Sequence, residues 1–555
     1  MQNRSFSRTN RFREAMVLLF LLPMTLIAIG GDILSMEQRR TSLTFSLAST
    51  YRPLLGFSQY QPPGTQKKEP VDSIPKTKSA KKTNRAFLEF LGVIAIPSAT
   101  YWAGWWGEYK PWHYRLNLED QFKRFFTLEA WKFDSNSYLL NCSHALAGAL
   151  YYNIARSNGL NRLESFLFNL GGSFYWEYIT EWRTVVSIND NIFNVLGGTA
   201  IGEAWHVIGK YFLSKSGIVN QVLSFLNPAL RINNWLDRKT TLSNAPEPEP
   251  GWHDFRLCMG FWRDQSQVQE FSSMNMFAGI DAQLLRIPDA EKSGDLSQKI
   301  GSTLFSEISF DILSSGGLVD EMGLFFRSVY LGHFRKKLDP NSNGYRFYLG
   351  IGSAFSFFKQ RSVAFYDSNQ VHVKDIHLLK LEEPRNFRDK FAAAHIIGPV
   401  LDLTVRTSRF RARLMAETYL DFSLVNSLAL NEYSIDHDIS RAKSTLVYYG
   451  YYYGFGGSLG LRLDVEYGPL ELRGRYTGHK WGSIEGHDNF QEDIRDDFHM
   501  TDSRTFVRLS AGYRFGKSPL VLVLAYEGIG RTGTLKEVTK TVHESRLSMG
   551  FVLRF

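Results

Sequence analysis

The chain of 555 residues holds only two cysteines, Cys142 and Cys258, which excludes a disulfide framework and a CxxC metal cluster. Charge of one sign is lacking too: 64 Lys and Arg stand against 55 Asp and Glu, for a net charge of +9. No long basic helix or base-stacking motif occurs, so nucleic acid is excluded as a partner. Between Phe122 and His206 no stretch reaches the ~20 uninterrupted apolar residues of a spanning helix. No nucleophile elbow surrounds Ser173 or Ser187. Aromatic residues, at 14%, are plentiful.

Four arginines (Arg4, Arg8, Arg11, Arg13) precede the apolar run Ala15–Ile29 and a Gly30-Gly31 pair. This pattern predicts a cleaved secretory signal over 1–30. Residues 31–85 include a Pro-, Lys- and Ser-rich stretch too poor in apolar side chains to offset chain entropy, and are expected to be largely disordered. A helical domain is expected over 86–238, periplasmic or membrane-associated. It opens on the apolar stretch Phe87–Trp106, whose Trp102, Trp105 and Trp106 suit either a headgroup belt or a buried core. A second linker, 239–250 (KTTLSNAPEPEP), leads to 251–555.

In that last region the period falls to two. In Arg409–Phe422, Phe410, Ala412, Leu414, Ala416, Leu420 and Phe422 share one face, while Arg409, Arg411, Arg413, Glu417 and Asp421 share the other. Similar segments of about 9–11 residues recur to Phe555, with short turns such as Gly468-Pro469 alternating with long connections, among them Gly530–Glu544. Inward arginines would be intolerable in the dry core of a sandwich. The fold class is therefore α+β multidomain: a helical domain, then an antiparallel transmembrane barrel of about 12 strands, in the outer membrane with the helices on the periplasmic side. The terminal RLSMGFVLRF places Phe555 on an apolar strand face, resembling the signal read by barrel-assembly machinery. Inward Arg409, Arg411, Arg413, Arg462, Arg473, Arg475, Arg504, Arg508 and Arg514 face Glu307, Asp311, Glu417, Asp464, Glu466 and Glu471. They would form a cross-lumen network in preference to an anion-selective path.

The segment 143–207 is helical, apolar and rich in ionisable groups at once. Glu177 and Glu181 lie four apart, Ser187 with Asp190 makes an N-cap, and Gly198 with Gly202 forms a small-residue face. SHALAGALYYNIARSNG, WEYITE and SINDNIFNVLGGTAIGE resemble the bacterial family named domain of unknown function 3943. The resemblance rests on His144, Gly148, Tyr151, Tyr152, Arg156, Gly159, Trp176, Glu177, Tyr178, Glu181, Ser187, Asp190, Gly197, Gly198, Gly202 and Glu203. Ser143 departs from a proline common in that family. The resemblance implies a context and no mechanism.

Two function classes follow. The favoured one is a non-enzymatic envelope component serving anchorage, organisation or transport, with paired charges in a helical bundle. The alternative is a membrane-edge hydrolase or transferase acting on envelope lipid or glycan, with His144, Glu177, Glu181 and Glu203 as candidate catalytic groups. In that case Arg156, Tyr152, Trp176 and Asp190 are the candidate binding groups. Glu203 and His206, spaced Glu-x-x-His, are a weak metal pair beside what a di-metal bundle needs, so no metal or cofactor is expected. The expected partners are outer-membrane lipids and, during biogenesis, the assembly machinery.

Overall fold

Alternating apolar and polar residues pair as strands because only one face of each meets water or ions. The computed structural model describes residues 81–105, 107, 109–215, 217–237, 251–264, 275–315, 318–360, 389–489 and 492–555. The expected signal segment, most of the first linker and the second linker lie outside them. Helix begins at Thr83, within the last residues of the expected first linker.

The strands are β1 (Trp252–Asp264), β2 (Met276–Leu285), β3 (Gly294–Ile300), β4 (Phe305–Ser315), β5 (Leu318–Leu338), β6 (Gly344–Gln360) and β7 (Lys390–Arg406). There follow β8 (Phe410–Asn426), β9 (Tyr451–Tyr467), β10 (Leu470–Ser483), β11 (Met500–Arg514), β12 (Leu520–Leu535) and β13 (Val538–Arg554). All pairings among these thirteen strands are antiparallel, and β13 pairs with β1 to close the ring; outside the barrel Trp131–Lys132 pairs in parallel with Val186–Ser187. β3 pairs only with the end of β5, which leaves twelve strands in a closed barrel.

Outward Leu459, Leu461, Leu463, Leu472, Leu509, Leu524, Met549 and Phe551 are 40–56% exposed. A continuous belt of exposed apolar residues on a closed barrel is a lipid-facing surface. One rim carries short turns, such as Gly468-Pro469, where Gly468 adopts φ 56°. The other carries longer connections, with one correction: Gly530–Glu544 is not a loop, because β12 and β13 run on to a two-residue turn at Lys536-Glu537. Arg409 is a second correction. It sits exposed in the turn before β8 and does not enter the lumen.

The helices are α1 (Thr83–Trp105), α2 (Leu118–Phe126), α3 (Tyr138–Ser157), α4 (Arg162–Tyr175), α5 (Ile188–Ile192), α6 (Gly198–Leu213), α7 (Ile218–Leu223) and α8 (Pro228–Leu236). Wider π-turns at Trp176–Thr180 and Phe193–Gly197 join α4 to its exit and α5 to α6. By length and composition α1 is long and apolar enough to cross a membrane. Helices α3 and α6 cross where Gly148 meets Gly198: a Cβ on Gly198 would lie 2.6 Å from the Gly148 carbonyl carbon.

These helices pack on the barrel's outer wall. Phe355, Phe357, Ala392, Ala394, Phe422 and Leu424 occupy outward positions of β6, β7 and β8, yet none is more than 3% exposed. Phe193 meets Phe355 and Phe422 at ring separations of 6.1 and 5.7 Å. Tyr138 covers Phe357, and Phe133 stacks on Tyr453. Near the short-turn rim Trp205 contacts Phe326 and Phe212 contacts Phe255. Arg162 donates to the carbonyls of Gly301 and of Tyr330, a bulged residue of β5.

Candidate functional site

The polar residues of the central segment form two separate clusters. In the first, Ser187 caps α5: its Oγ accepts from Asp190 N at 3.2 Å, while its own N–H donates to Glu177 Oε2 at 2.7 Å. Asp190 Oδ1 lies 3.2 Å from His144 Nε2. Asn189 Nδ2 lies within 2.7 Å of both Asp134 Oδ1 and Asn141 Oδ1. The barrel completes this cluster, because Tyr451 Oη donates to the Asn136 carbonyl at 2.5 Å and Tyr453 Oη to that of Asp134 at 2.9 Å.

The turn carrying WEYITE is held by Arg124, fully buried, whose guanidinium donates to the carbonyls of Glu177, Glu181 and Thr184 at 2.7, 3.2 and 2.9 Å. The π-turn at 176–180 thereby separates Glu177 from Glu181. The first points inward to Ser187, and the second accepts from Trp176 Nε1 at 3.3 Å.

In the second cluster Glu203, fully buried, accepts from Arg156 Nε at 2.9 Å, Arg156 Nη2 at 3.3 Å, Tyr152 Oη at 2.9 Å and Thr303 Oγ1. Thr303 belongs to the barrel, just before β4. His206 turns away from Glu203 to Asn227, 3.2 Å from its Nδ1. His144, Glu177, Glu181 and Glu203 thus do not converge on one site. Both Glu203 oxygens take donors, as a buried charge requires, whereas Glu177 is held through Oε2 alone and its buried Oε1 has no hydrogen-bond partner among the described residues. Among the described residues no three His, Cys, Asp or Glu side chains gather as a metal site.

The barrel lumen holds the charge network expected there. Arg327 bridges Glu307 and Glu417, Arg462 reaches Asp281, Glu307 and Asp464, and Arg546 pairs with Glu321 and Glu527. Toward the short-turn rim Trp252 fills the lumen beneath the guanidinium of Arg413, 4.5 Å from its ring, beside Phe305 and Tyr348. Toward the other rim α9 (Leu428–Asp436) and α10 (Ser444–Tyr449) fold inward, burying Leu430, Tyr433 and Leu446 against Phe391, Tyr452 and Trp481.

Between these seals lies a cavity of about 150 Å³. Ser356, His395, Ser458 and His479 line it, and Asp421 lies directly behind them. His395 Nε2 is 2.7 Å from Ser356 Oγ, and its Nδ1 is 2.6 Å from Asp421 Oδ1. Strand alternation put Ser356 and Asp421 on the polar faces of their strands, but sequence reasoning gave neither them nor His395, Ser458 and His479 a role, and it missed Arg124 and Asn141. A strand-parity count would have sent His395 outward.

No curated protein matches the chain. Among solved structures, in-vitro folded OmpT of Vibrio cholerae aligns at 8% identity over 55% of this chain and 98% of its own, with a TM-score of 0.22. The beta domain of the Bordetella autotransporter BrkA aligns at 11% identity over 55% and 98%, TM-score 0.21. The Pseudomonas putida toluene transporter TodX aligns at 8% identity over 55% and 90%, TM-score 0.20. The motifs around His144, Glu177 and Asp190 are matched directly: residues 130–229 fit the family model described as Domain of unknown function (DUF3943).

Proposed function

We propose that the protein is an outer-membrane envelope component in which a sealed barrel anchors a helical domain lying beside it in the membrane. One observation carries this reading. Outward positions that are exposed around most of the barrel are buried where the helices cover them. The helices in turn show Phe87, Leu88, Ile96, Leu163 and Leu167 to the outside at more than half exposure. Polar groups inside and apolar groups outside is the arrangement a lipid surround selects.

Twenty-three residues of helix reach about 35 Å, enough for a hydrocarbon core of about 30 Å. By the usual rule for such barrels the short-turn rim and Phe555 face the periplasm. The lateral packing favours membrane association over the periplasmic alternative for the helices. Outer-membrane lipids then surround both parts, and the assembly machinery inserts the barrel.

Sealing of the lumen from both rims favours anchorage and envelope organisation over transport. The engagement of both Glu203 oxygens, and of Glu177 through Oε2, favours a structural role for the DUF3943 charges over an envelope lipid or glycan site among them. Reconstitution of the full chain into planar bilayers tests the sealed barrel: only brief, sparse currents are expected, and large stable conductance would contradict it.

A further inference from the structure

We infer that the lumen houses a serine-hydrolase site, with Ser356 as nucleophile, His395 as general base and Asp421 as its orienting carboxylate, acting on small carboxylic esters. This goes beyond the anchoring role and places chemistry in the barrel, away from the DUF3943 helices.

The three residues sit on adjacent strands β6, β7 and β8. His395 pairs directly across from Asp421, and Ser356 lies two residues along from His395's partner Ala354. A bulge makes this possible. Ile396 is skipped in the pairing of β7 with both neighbours, so inward facing shifts from Asp402 and Val400 below it to His395 and Ala393 above it. Bulges that re-aim a side chain are frequent beside active sites.

With Nδ1 donating to Asp421, Nε2 is the acceptor facing the Ser356 hydroxyl, and both separations, 2.7 and 2.6 Å, lie in the range that activates a nucleophile. Ser458 Oγ supports the carboxylate from a further strand at 3.1 Å. The same cavity is lined by Arg475, whose guanidinium has no carboxylate in ion-pair range among the described residues and which lies 5.5 Å from the Phe325 ring. Phe325 pairs directly across from Ser356, so this guanidinium is the positive charge available to a developing oxyanion.

Ser356 Oγ adds to the ester carbonyl carbon as its proton passes to His395 Nε2. The C–O bond to the alcohol then breaks, and the alcohol leaves with that proton. Water attacks the acyl-serine, gives a proton to His395, and the carboxylic acid leaves as Ser356 regains it. Net, one ester and one water give one acid and one alcohol. A cavity of about 150 Å³, roughly that which admits benzene in an engineered core, fits a short acyl group and not a lipid chain.

The test is labelling of the full chain, folded in detergent micelles, with a small alkyl fluorophosphonate, read by peptide mass spectrometry. Heat-modifiable migration on gels reports the folded barrel for each variant. The probe's P–F bond breaks as an Oγ–P bond forms. The wild-type protein should carry the adduct on Ser356, S356A should lose it, S503A on the outer face of β11 should keep it, and H395Q should slow it by about 100-fold or more. A folded wild-type protein unlabelled at Ser356, or H395Q labelled at the wild-type rate, would overturn the proposal. Labelling needs one small molecule to pass the packing at a rim, whereas steady conductance needs a continuous water-filled path, so the sealed-barrel reading stands or falls separately.

Discussion

Glu203→Leu offers the sharpest test of whether the DUF3943 charges are structural. Glu203 is fully buried and takes two hydrogen bonds from Arg156 and one each from Tyr152 and Thr303. Removing it leaves the Arg156 guanidinium, 17% exposed, without its counter-charge, at a cost of about 3–5 kcal/mol. Arg156→Met should cost a similar amount by stranding the carboxylate. The double variant removes both charges and should recover most of the loss, leaving about 1–3 kcal/mol for the unsatisfied Tyr152 and Thr303 hydroxyls. Urea unfolding in lipid vesicles, followed by tryptophan fluorescence, measures all four proteins, and a coupling of about 6 kcal/mol is expected, the difference between the two single losses together and the double variant. A Glu203→Leu cost below about 1 kcal/mol, or a double variant no better than the sum of its parts, would refute the reasoning.

Gly198→Val should separate α3 from α6, because its Cβ would meet the Gly148 backbone. A loss of about 3 kcal/mol, seen as faster trypsin cleavage of the helices while the barrel stays heat-modifiable, is expected. Replacing 427–450 by a short turn removes only the seal built by α9 and α10, so the barrel should stay closed until Trp252→Gly opens the other seal as well; steady bilayer currents from the loop replacement alone would contradict a seal at the short-turn rim. Asp237, at the end of α8, is held down to about 2 by hydrogen bonding to Lys82 against the cost of burial, with Arg85 adding to the effect. Its carboxyl is depressed, so its contribution is present above about pH 4 and fades as pH falls toward 2. Asp237→Asn should abolish that part of the acid loss of tryptic resistance.

Much of the barrel was legible in sequence because lipid outside and ions inside impose a strict period of two, as in Phe410–Asn426. The pattern fails where a strand leaves the bilayer. Outward Thr532 and Thr534 hydrogen-bond to Thr541 and Thr501, so Gly530–Glu544 reads as a polar loop although it is a hairpin. The position of the helices was illegible for a different reason. Phe355, Phe357 and Phe422 look the same in sequence whether lipid or Phe193 covers them. Within the helices, the Ser187 cap and the Gly198 contact followed from local spacing. The parting of Glu177 from Glu181 did not, because a π-turn set by Arg124 overrides helical register. Ser356, His395 and Asp421 carry no motif, and only the bulge at Ile396 turns His395 inward.

The lateral docking of the helices is tested most directly by cross-linking in isolated outer membranes. In a background with Cys142 and Cys258 replaced by alanine, Trp205→Cys is paired with Phe326→Cys, whose native rings lie 6.0 Å apart, or with Leu524→Cys on uncovered wall. A short bismaleimide should join the peptides of residues 205 and 326 and leave 205 and 524 unlinked. A folded barrel in the outer membrane that yields no 205–326 product would contradict the account.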